Sequence, residues 1–203
     1  MATDIFGREI KEDRALLSRR ERKKQNQKYA IIRAAQQLIE AKGYDATSVN
    51  EIAETADIAY GTFFNHFPSK EAMLLFIAQV EYEDLQKVMN VRFSETDPAA
   101  AVLEGVFLEW CDDSIRCRNV SARLDEVIMR NNLSSNDRSV HQLLVYILRH
   151  GVQRGEFRSD IDCDMVAYML EGIRHVSIQT GSSKYPEILF YNQLREILVT
   201  PET

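Results

Sequence analysis

Between Thr47 and Lys70 the chain gathers side chains suited to holding a phosphodiester and reading the edges of bases. Hydroxyls stand at Thr47, Ser48 and Thr62, a phenol at Tyr60, an amide at Asn65, an imidazole at His66 and an ammonium at Lys70. Hydroxyls and helix-start amides bind phosphates, which fixes position; side chains on a groove-bound helix meet base edges, which fixes sequence. Upstream, Arg19, Arg20, Arg22, Lys23, Lys24 and Lys28 lie within ten residues and are opposed only by Glu21. Such a run, placed ahead of a helix, suits a phosphate backbone. Catalytic signatures do not compete with this reading. GxSxG, Walker, HExxH and Gly-rich dinucleotide patterns are absent from the sequence, so no enzymatic activity and no cofactor are expected. His141, His150 and His175 lack metal-ligand spacing, and Cys111, Cys117 and Cys163 are scattered without a CxxC pair, so neither a metal site nor a disulfide framework is expected.

Placing these groups requires two short helices. Ser48-Val49-Asn50-Glu51 fits a capping box, with a hydroxyl at the cap and a carboxylate three residues later. The helix it starts, over 49–56, would bury Val49, Ile52 and Ala53, and the small Ala53 lets a second helix cross closely. The chain must then turn sharply at Asp57, with Ile58 as an apolar anchor. A second helix follows over 59–67, stopped by Pro68, and Ser69 caps the next, with Glu71 near its positive end. This is a helix-turn-helix, whose second helix enters the major groove with its first residues at base edges. Phe63 and Phe67 read as its inward face.

The rest of the sequence is patterned at the helical period. Ile31, Ala34, Ala35, Leu38 and Ile39 form one stripe, ended by Gly43. Val102, Leu103, Val106, Phe107 and Trp110 form another, with Pro98 at the first helical position and Asp97 as cap. Val140, Leu143, Leu144, Ile147, Leu148 and Gly151 make a third, and Val166, Met169, Leu170, Ile173 and Val176 a fourth. Phe190, Leu194, Ile197 and Leu198 close the chain. Two-residue alternation is absent, so the fold is expected to be all-α. Charge divides along the chain: residues 1–80 hold 12 Lys and Arg against 11 Asp and Glu, while 81–203 hold 13 against 20. The organisation expected is an N-terminal arm (1–20), a helix-turn-helix domain (21–72) and a helical domain (73–203). No apolar run nears the roughly 20 residues that cross a bilayer, and the charged first ten residues do not form a secretory leader. A cytoplasmic protein is expected.

Thr47-Ser48-Val49-Asn50-Glu51-Ile52-Ala53, followed by Ala59-Tyr60-Gly61-Thr62-Phe63-Phe64-Asn65-His66-Phe67-Pro68-Ser69-Lys70-Glu71, resembles the DNA-binding domain of the TetR family of transcriptional regulators. The likeness covers about residues 25–75; beyond 80 only helicity and length correspond. The resemblance implies a repressor that binds a palindromic operator in double-stranded DNA as a homodimer. It implies that Thr47 and Ser48 meet a phosphate, that Gly61 lets the helix approach the bases, and that Tyr60, Thr62 and Asn65 face base edges or phosphates. His66 and Lys70 would touch the far backbone and Lys28 a flanking phosphate. Two positions depart from the family. Phe64 replaces the usual Tyr and lacks its hydroxyl. Asp57 replaces the usual Gly in the turn, where Asp tolerates positive φ better than most residues.

The same resemblance implies a C-terminal bundle that dimerises through its last helices and binds a small-molecule effector. Gly151 and Gly172 are candidates for close helix approach at the dimer interface. Phe76, Phe107, Trp110, Met129, Tyr146, Met169 and His175 are candidates to line an effector chamber, Trp110 foremost because a buried indole N–H needs a partner. The acidic surplus of this half favours a cationic or neutral effector. The competing reading is a DNA-binding architectural or protein-partner module with a filled interior and no effector.

Overall fold

The computed structural model describes residues 18–94, 96–131, 139–182 and the single positions 184, 186 and 198. Most of the expected N-terminal arm lies outside the described residues, as do Phe190, Leu194 and Ile197 of the closing stripe. Among the described residues there are eight helices and no β-strand, in keeping with the all-α expectation. They run α1 (Arg19–Lys42), α2 (Val49–Thr55), α3 (Tyr60–His66), α4 (Lys70–Arg92), α5 (Ala99–Arg116), α6 (Arg118–Asn131), α7 (Val140–Gln153) and α8 (Cys163–Thr180). The chain divides into two compact units, residues 1–77 and 78–203, with the division falling inside α4.

Unit 1 is held by hydrocarbon. Ile31, Ile32, Ala35 and Ile39 of α1, Ile52 and Ala53 of α2, Phe63 of α3, and Phe67, Met73, Leu74 and Ile77 are all buried. α1 starts earlier than its apolar stripe predicts. Ser18 accepts a hydrogen bond from Glu21 N–H and the Glu21 carboxylate accepts one from Ser18 N–H, a reciprocal cap that satisfies two otherwise orphaned donors. The basic run therefore forms the first turns of α1 instead of preceding a helix. Those turns carry no apolar face, so periodicity cannot reveal them. At the other end Gly43 adopts φ 88°, a conformation that favours glycine, and its N–H bonds to Ile39 C=O at 2.8 Å.

Unit 2 packs α5, α7 and α8 against one another, with α6 against α5 and α8. Leu103, Val106, Phe107 and Trp110 of α5 and Leu143, Leu144, Ile147 and Leu148 of α7 meet Val166, Ala167 and Leu170 of α8 in one core. Two local expectations change. Pro98 itself is the N-cap of α5, while the Asp97 carboxylate turns back to accept from Ser94 N–H at 2.6 Å. The capping role falls to a distant residue: Ala99 N–H donates to the Glu156 carboxylate at 2.5 Å. On α8 the buried face is Val166, Ala167, Leu170, Arg174, Ser177 and Ile178, and Met169 and Val176 of the expected stripe are exposed. The helix has two apolar faces, and the sequence pattern merges them.

Candidate functional site

α3 is pinned from beneath and open above. Phe63 and Phe67 are fully buried, their ring centroids 5.8 Å apart, and Phe67 packs on Phe76 at 5.6 Å. That anchor turns Tyr60, Gly61, Phe64 and Asn65 outward, with Thr62 half-buried between them. Apart from its own turn of helix, nothing lies within 4 Å of where a Gly61 Cβ would stand, so the backbone there is open to approach. The turn that sets this helix is the one read from the sequence: Asp57 has φ 53°, and Ile58 N–H reaches Ala53 C=O at 3.0 Å. Before it, α2 carries the expected capping box at Ser48 and Glu51. Lys42 pairs with the Glu51 carboxylate, and together with Ser48 holds it down to about 2, so this cap stays ionised at any neutral pH.

The remaining interface candidates divide by where their polar atoms go. Ser48 is exposed, with its hydroxyl donating to Glu51 at 2.7 Å. Thr47 is buried, its hydroxyl donating to Gly43 C=O at 2.8 Å. The Lys70 ammonium donates to the carbonyls of Tyr44 and Thr47, each at 2.7 Å, and lies 3.9 Å from the Tyr44 ring centroid. Lys28 sits 3.4 Å from the centroid of Phe76. Thr47, Lys28 and Lys70 thus brace the loop and the aromatic anchor that set α3. His66 is half-buried, and its pKa is lowered first by that burial and then by Lys24 and Lys28. Arg19, Arg20, Arg22, Lys23 and Lys24 remain exposed along the first turns of α1. Sequence reasoning treated Phe64 only as a lost hydroxyl. In the structure it is 43% exposed and packs edge-on to Tyr60, 53% exposed, at 5.1 Å. Spacing of i and i+4 on α3 was the available signal.

A short, rigidly backed helix displaying phenol, amide and aromatic groups beside a cationic helix end defines a helix-turn-helix DNA-binding regulator. Comparisons with known proteins agree. Residues 31–77 match the family model described as bacterial regulatory proteins, tetR family. An uncharacterized HTH-type transcriptional regulator, YuxN of Bacillus subtilis, is 39% identical over 72 residues, covering 35% of this chain and 25% of that protein. The HTH-type transcriptional repressor KstR2 of Mycolicibacterium smegmatis is 26% identical over 159 residues, covering 73% of this chain and 76% of its own. In fold, the chain is similar to Thermus thermophilus FadR, a repressor solved in complex with lauroyl-CoA, with a TM-score of 0.60 at 21% identity over 87% of this chain and 97% of that one. Residues 31–77 are thus similar to the DNA-binding region of TetR-family regulators, and the chain is a DNA-binding regulator of transcription.

Unit 2 holds a second concentration of chemistry, and it is internal. Arg174 of α8 is 7% exposed and places its guanidinium 4.3 Å from the Trp110 ring centroid. Its Nη1 donates to Ser114 Oγ at 3.2 Å and its Nη2 to the Asp125 carboxylate, whose other oxygen lies 3.2 Å from His175 Nδ1. Glu81 of α4 is buried in the same field: burial pushes its carboxyl up to about 7 despite the attraction of Arg174, and Asp125 and Asp84 add to the rise. Elsewhere in this unit, buried His141 of α7 lies 3.1 Å from the Glu171 carboxylate of α8.

Of the residues expected to line an effector chamber, Trp110 and His175 are joined through Arg174 and Asp125, and Phe107 is buried in the adjoining core. The others lie elsewhere. Phe76 belongs to unit 1, under Lys28. Met129 is 80% exposed on α6, and Met169 is exposed on α8. Tyr146 is exposed on α7, stacked on His150, where both line an open groove of about 520 Å³ with Tyr82, Gln86 and Arg149. Arg174, Asp125 and Glu81 escape sequence reasoning because a charged residue on an amphipathic helix is assigned to the solvent face. An arginine four residues from both Leu170 and Ile178, in register with the buried stripe, is the signal that would have found the first. Among the described residues no group of three His, Cys, Asp or Glu side chains is placed to hold a metal ion, and no helix is long and apolar enough to cross a membrane.

Proposed function

We propose that this protein is a homodimeric repressor that grips a palindromic operator with α3 of each subunit and releases it when a small molecule occupies unit 2. The observation that carries the reading is the outward display of Tyr60, Gly61, Phe64 and Asn65 on a helix locked from below by Phe63 and Phe67. Tyr60, Thr62 and Asn65 read bases. Ser48 and His66 meet the backbone on either side, and the exposed cations of α1 meet flanking phosphates. One short helix reads few base pairs, so two of them, set about 34 Å apart by a two-fold axis, are needed for an operator.

The second apolar face of α8 supports the dimer. Met165, Tyr168, Met169 and Val176 are all at least 44% exposed, and Gly172 in their midst has open space where a side chain would stand. Such a face on a helix suits a second copy of itself. Gly151 does not serve there: a Cβ on it would lie 2.3 Å from the Phe157 ring of the same subunit. The buried cluster around Arg174 is the effector centre. Coupling is reciprocal, so effector and operator each weaken the other's binding, by about 1–3 kcal/mol if the coupling is of ordinary size.

Selection of bound fragments from genomic DNA, followed by gel retardation on the enriched sequence, tests the proposal. A palindrome with half-sites one helical turn apart, bound by a dimer, is the expected result; no enriched sequence at low salt refutes it.

A further inference from the structure

Resting on the effector centre proposed above, we infer that the effector is an uncharged molecule with an oxygen head, hydroxyl or carbonyl, on an apolar body, seated where the Arg174 guanidinium lies over Trp110. Two polar groups of this site are buried without a hydrogen-bond partner among the described residues. The Trp110 indole N–H and the Arg174 Nε–H have none, on residues that are respectively 6% and 7% exposed. An unmet buried donor costs about 1–3 kcal/mol. Because the guanidinium lies over the indole, both donors belong to one site. They require an acceptor, and an oxygen with two lone pairs serves both.

Charge decides the rest. Arg174 is already neutralised by Asp125, and both its Nη atoms are engaged, by Ser114 and by Asp125. An anionic head taking the free Nε would sit beside the Asp125 carboxylate and within the field of Glu81. A cationic head would have to share the cluster with a guanidinium. Burial pushes the Glu81 carboxyl up to about 7, so at neutral pH it adds less than a full negative charge to the field around the head. The surrounding wall is apolar: Leu103, Val106 and Phe107 lie on the same helix as Trp110 and in the same core. A neutral head on a hydrophobic body matches these surfaces, which narrows the earlier choice between cationic and neutral effectors to the neutral one.

Trp110 is the only tryptophan of the chain, so its fluorescence reports on this site directly. The full chain is titrated with 4-propylphenol, with 4-propylbenzoate and 4-propylbenzylamine as charged counterparts, and with propylbenzene as the headless body; Trp110 emission and thermal unfolding are both followed. Saturable binding of the phenol at least tenfold tighter than that of the other three is expected. Trp110→Phe keeps an aromatic ring and removes the N–H; read by thermal shift, it should weaken the phenol about five- to tenfold. Equal or tighter binding of the benzoate or the amine overturns the inference, as does a Trp110→Phe variant that binds the phenol unchanged, or no response to any of the four probes. Gel retardation of the selected operator without probes is run beside it. Retardation with no probe response sinks this inference alone, whereas absence of retardation sinks the regulator reading.

Discussion

The two units handle polar chemistry in opposite ways. Unit 1 fills its interior with Ile31, Ile32, Ile39, Ile52 and Phe63 and sends the cations of the first turns of α1 and its reading groups outward, whereas unit 2 buries Glu81, Asp84, Asp113, His141 and Arg174 within its helices. A surface that reads a charged polymer needs only a stiff backing, and apolar packing supplies that without any buried charge. An interior that responds to a small molecule needs polar groups inside, and a buried ion cluster is often no more stable than hydrocarbon of the same volume. What such a cluster provides is a place where a modest change in chemistry has a large effect.

The largest expected effect follows from that contrast. Arg174→Ala leaves the half-buried Asp125 and the buried Glu81 without their cation and should destabilise unit 2 by about 3–5 kcal/mol. Phe63→Ala should cost unit 1 a comparable ~3–5 kcal/mol, by a cavity and not by a charge. The double variant with Arg174→Ala and Asp125→Ala separates the causes, since removing both charges should recover part of the first loss while no second truncation near Phe63 recovers the other. Urea unfolding followed by Trp110 emission, which reports unit 2, and by far-UV circular dichroism, which reports both, measures each. Additivity of Arg174→Ala and Asp125→Ala would end the claim that unit 2 is organised around an ion pair.

A smaller effect tests whether the exposed aromatics of α3 read sequence. Phe64 and Tyr60 present an apolar plate, and the groove feature such a plate recognises is the thymine methyl group. Phe64→Ala should weaken operator binding by about 1 kcal/mol, roughly fivefold, with little change in stability because Phe64 is exposed. Replacing thymines of the half-site one at a time by deoxyuridine should find a position where the wild type loses affinity and Phe64→Ala does not. If every deoxyuridine substitution is neutral, the plate packs and does not read.

How much of this was legible in the sequence differs between the units for a physical reason. The helix-turn-helix is written in local terms: a cap at Ser48, a small Ala53, a residue at Asp57 that tolerates positive φ, and the alternation of buried Phe63 and Phe67 with exposed neighbours. Each of those acts over a few residues, and each was found in its expected place. The cluster of unit 2 joins Glu81, Trp110, Asp125 and Arg174 from four helices, and nothing local marks an arginine as buried. Reuse of polar atoms was equally hidden. The spacing of Lys70 suits a phosphate, but whether its ammonium is drawn first to the carbonyls of Tyr44 and Thr47 depends on a loop 26 residues away. On α8 the periodicity showed apolar residues without showing that they belong to two faces.

Protonation sharpens the contrast at still smaller amplitude. The His66 pKa is lowered by burial and by Lys24 and Lys28, so free His66 is neutral at pH 7. A phosphate beside it favours the imidazolium, which makes the pKa in the complex higher than in the free protein. Binding then takes up a proton, and affinity should rise a few-fold as pH falls through the usual histidine range toward about 6. His66→Asn should remove that rise while leaving affinity near pH 8 within about twofold. A slope that survives the substitution assigns the proton to another group, the Glu81 carboxyl of unit 2 being the first to test with Glu81→Gln.

The least expected change distinguishes cations that face outward from those that brace the fold. Removing one lysine–phosphate pair should lower the slope of log affinity against log salt by about 0.9. Lys24, exposed on α1, should show that drop when replaced by Ala, with unfolding unchanged. Lys70, held by two carbonyls and the Tyr44 ring, should show the reverse: Lys70→Met should loosen the 44–47 loop and lower stability, while the salt slope stays near its wild-type value. Were Lys70→Met to flatten the slope as far as Lys24→Ala does, the ammonium must leave its carbonyls for a phosphate on binding. The boundary between backing and reading surface in unit 1 would then be drawn by the DNA.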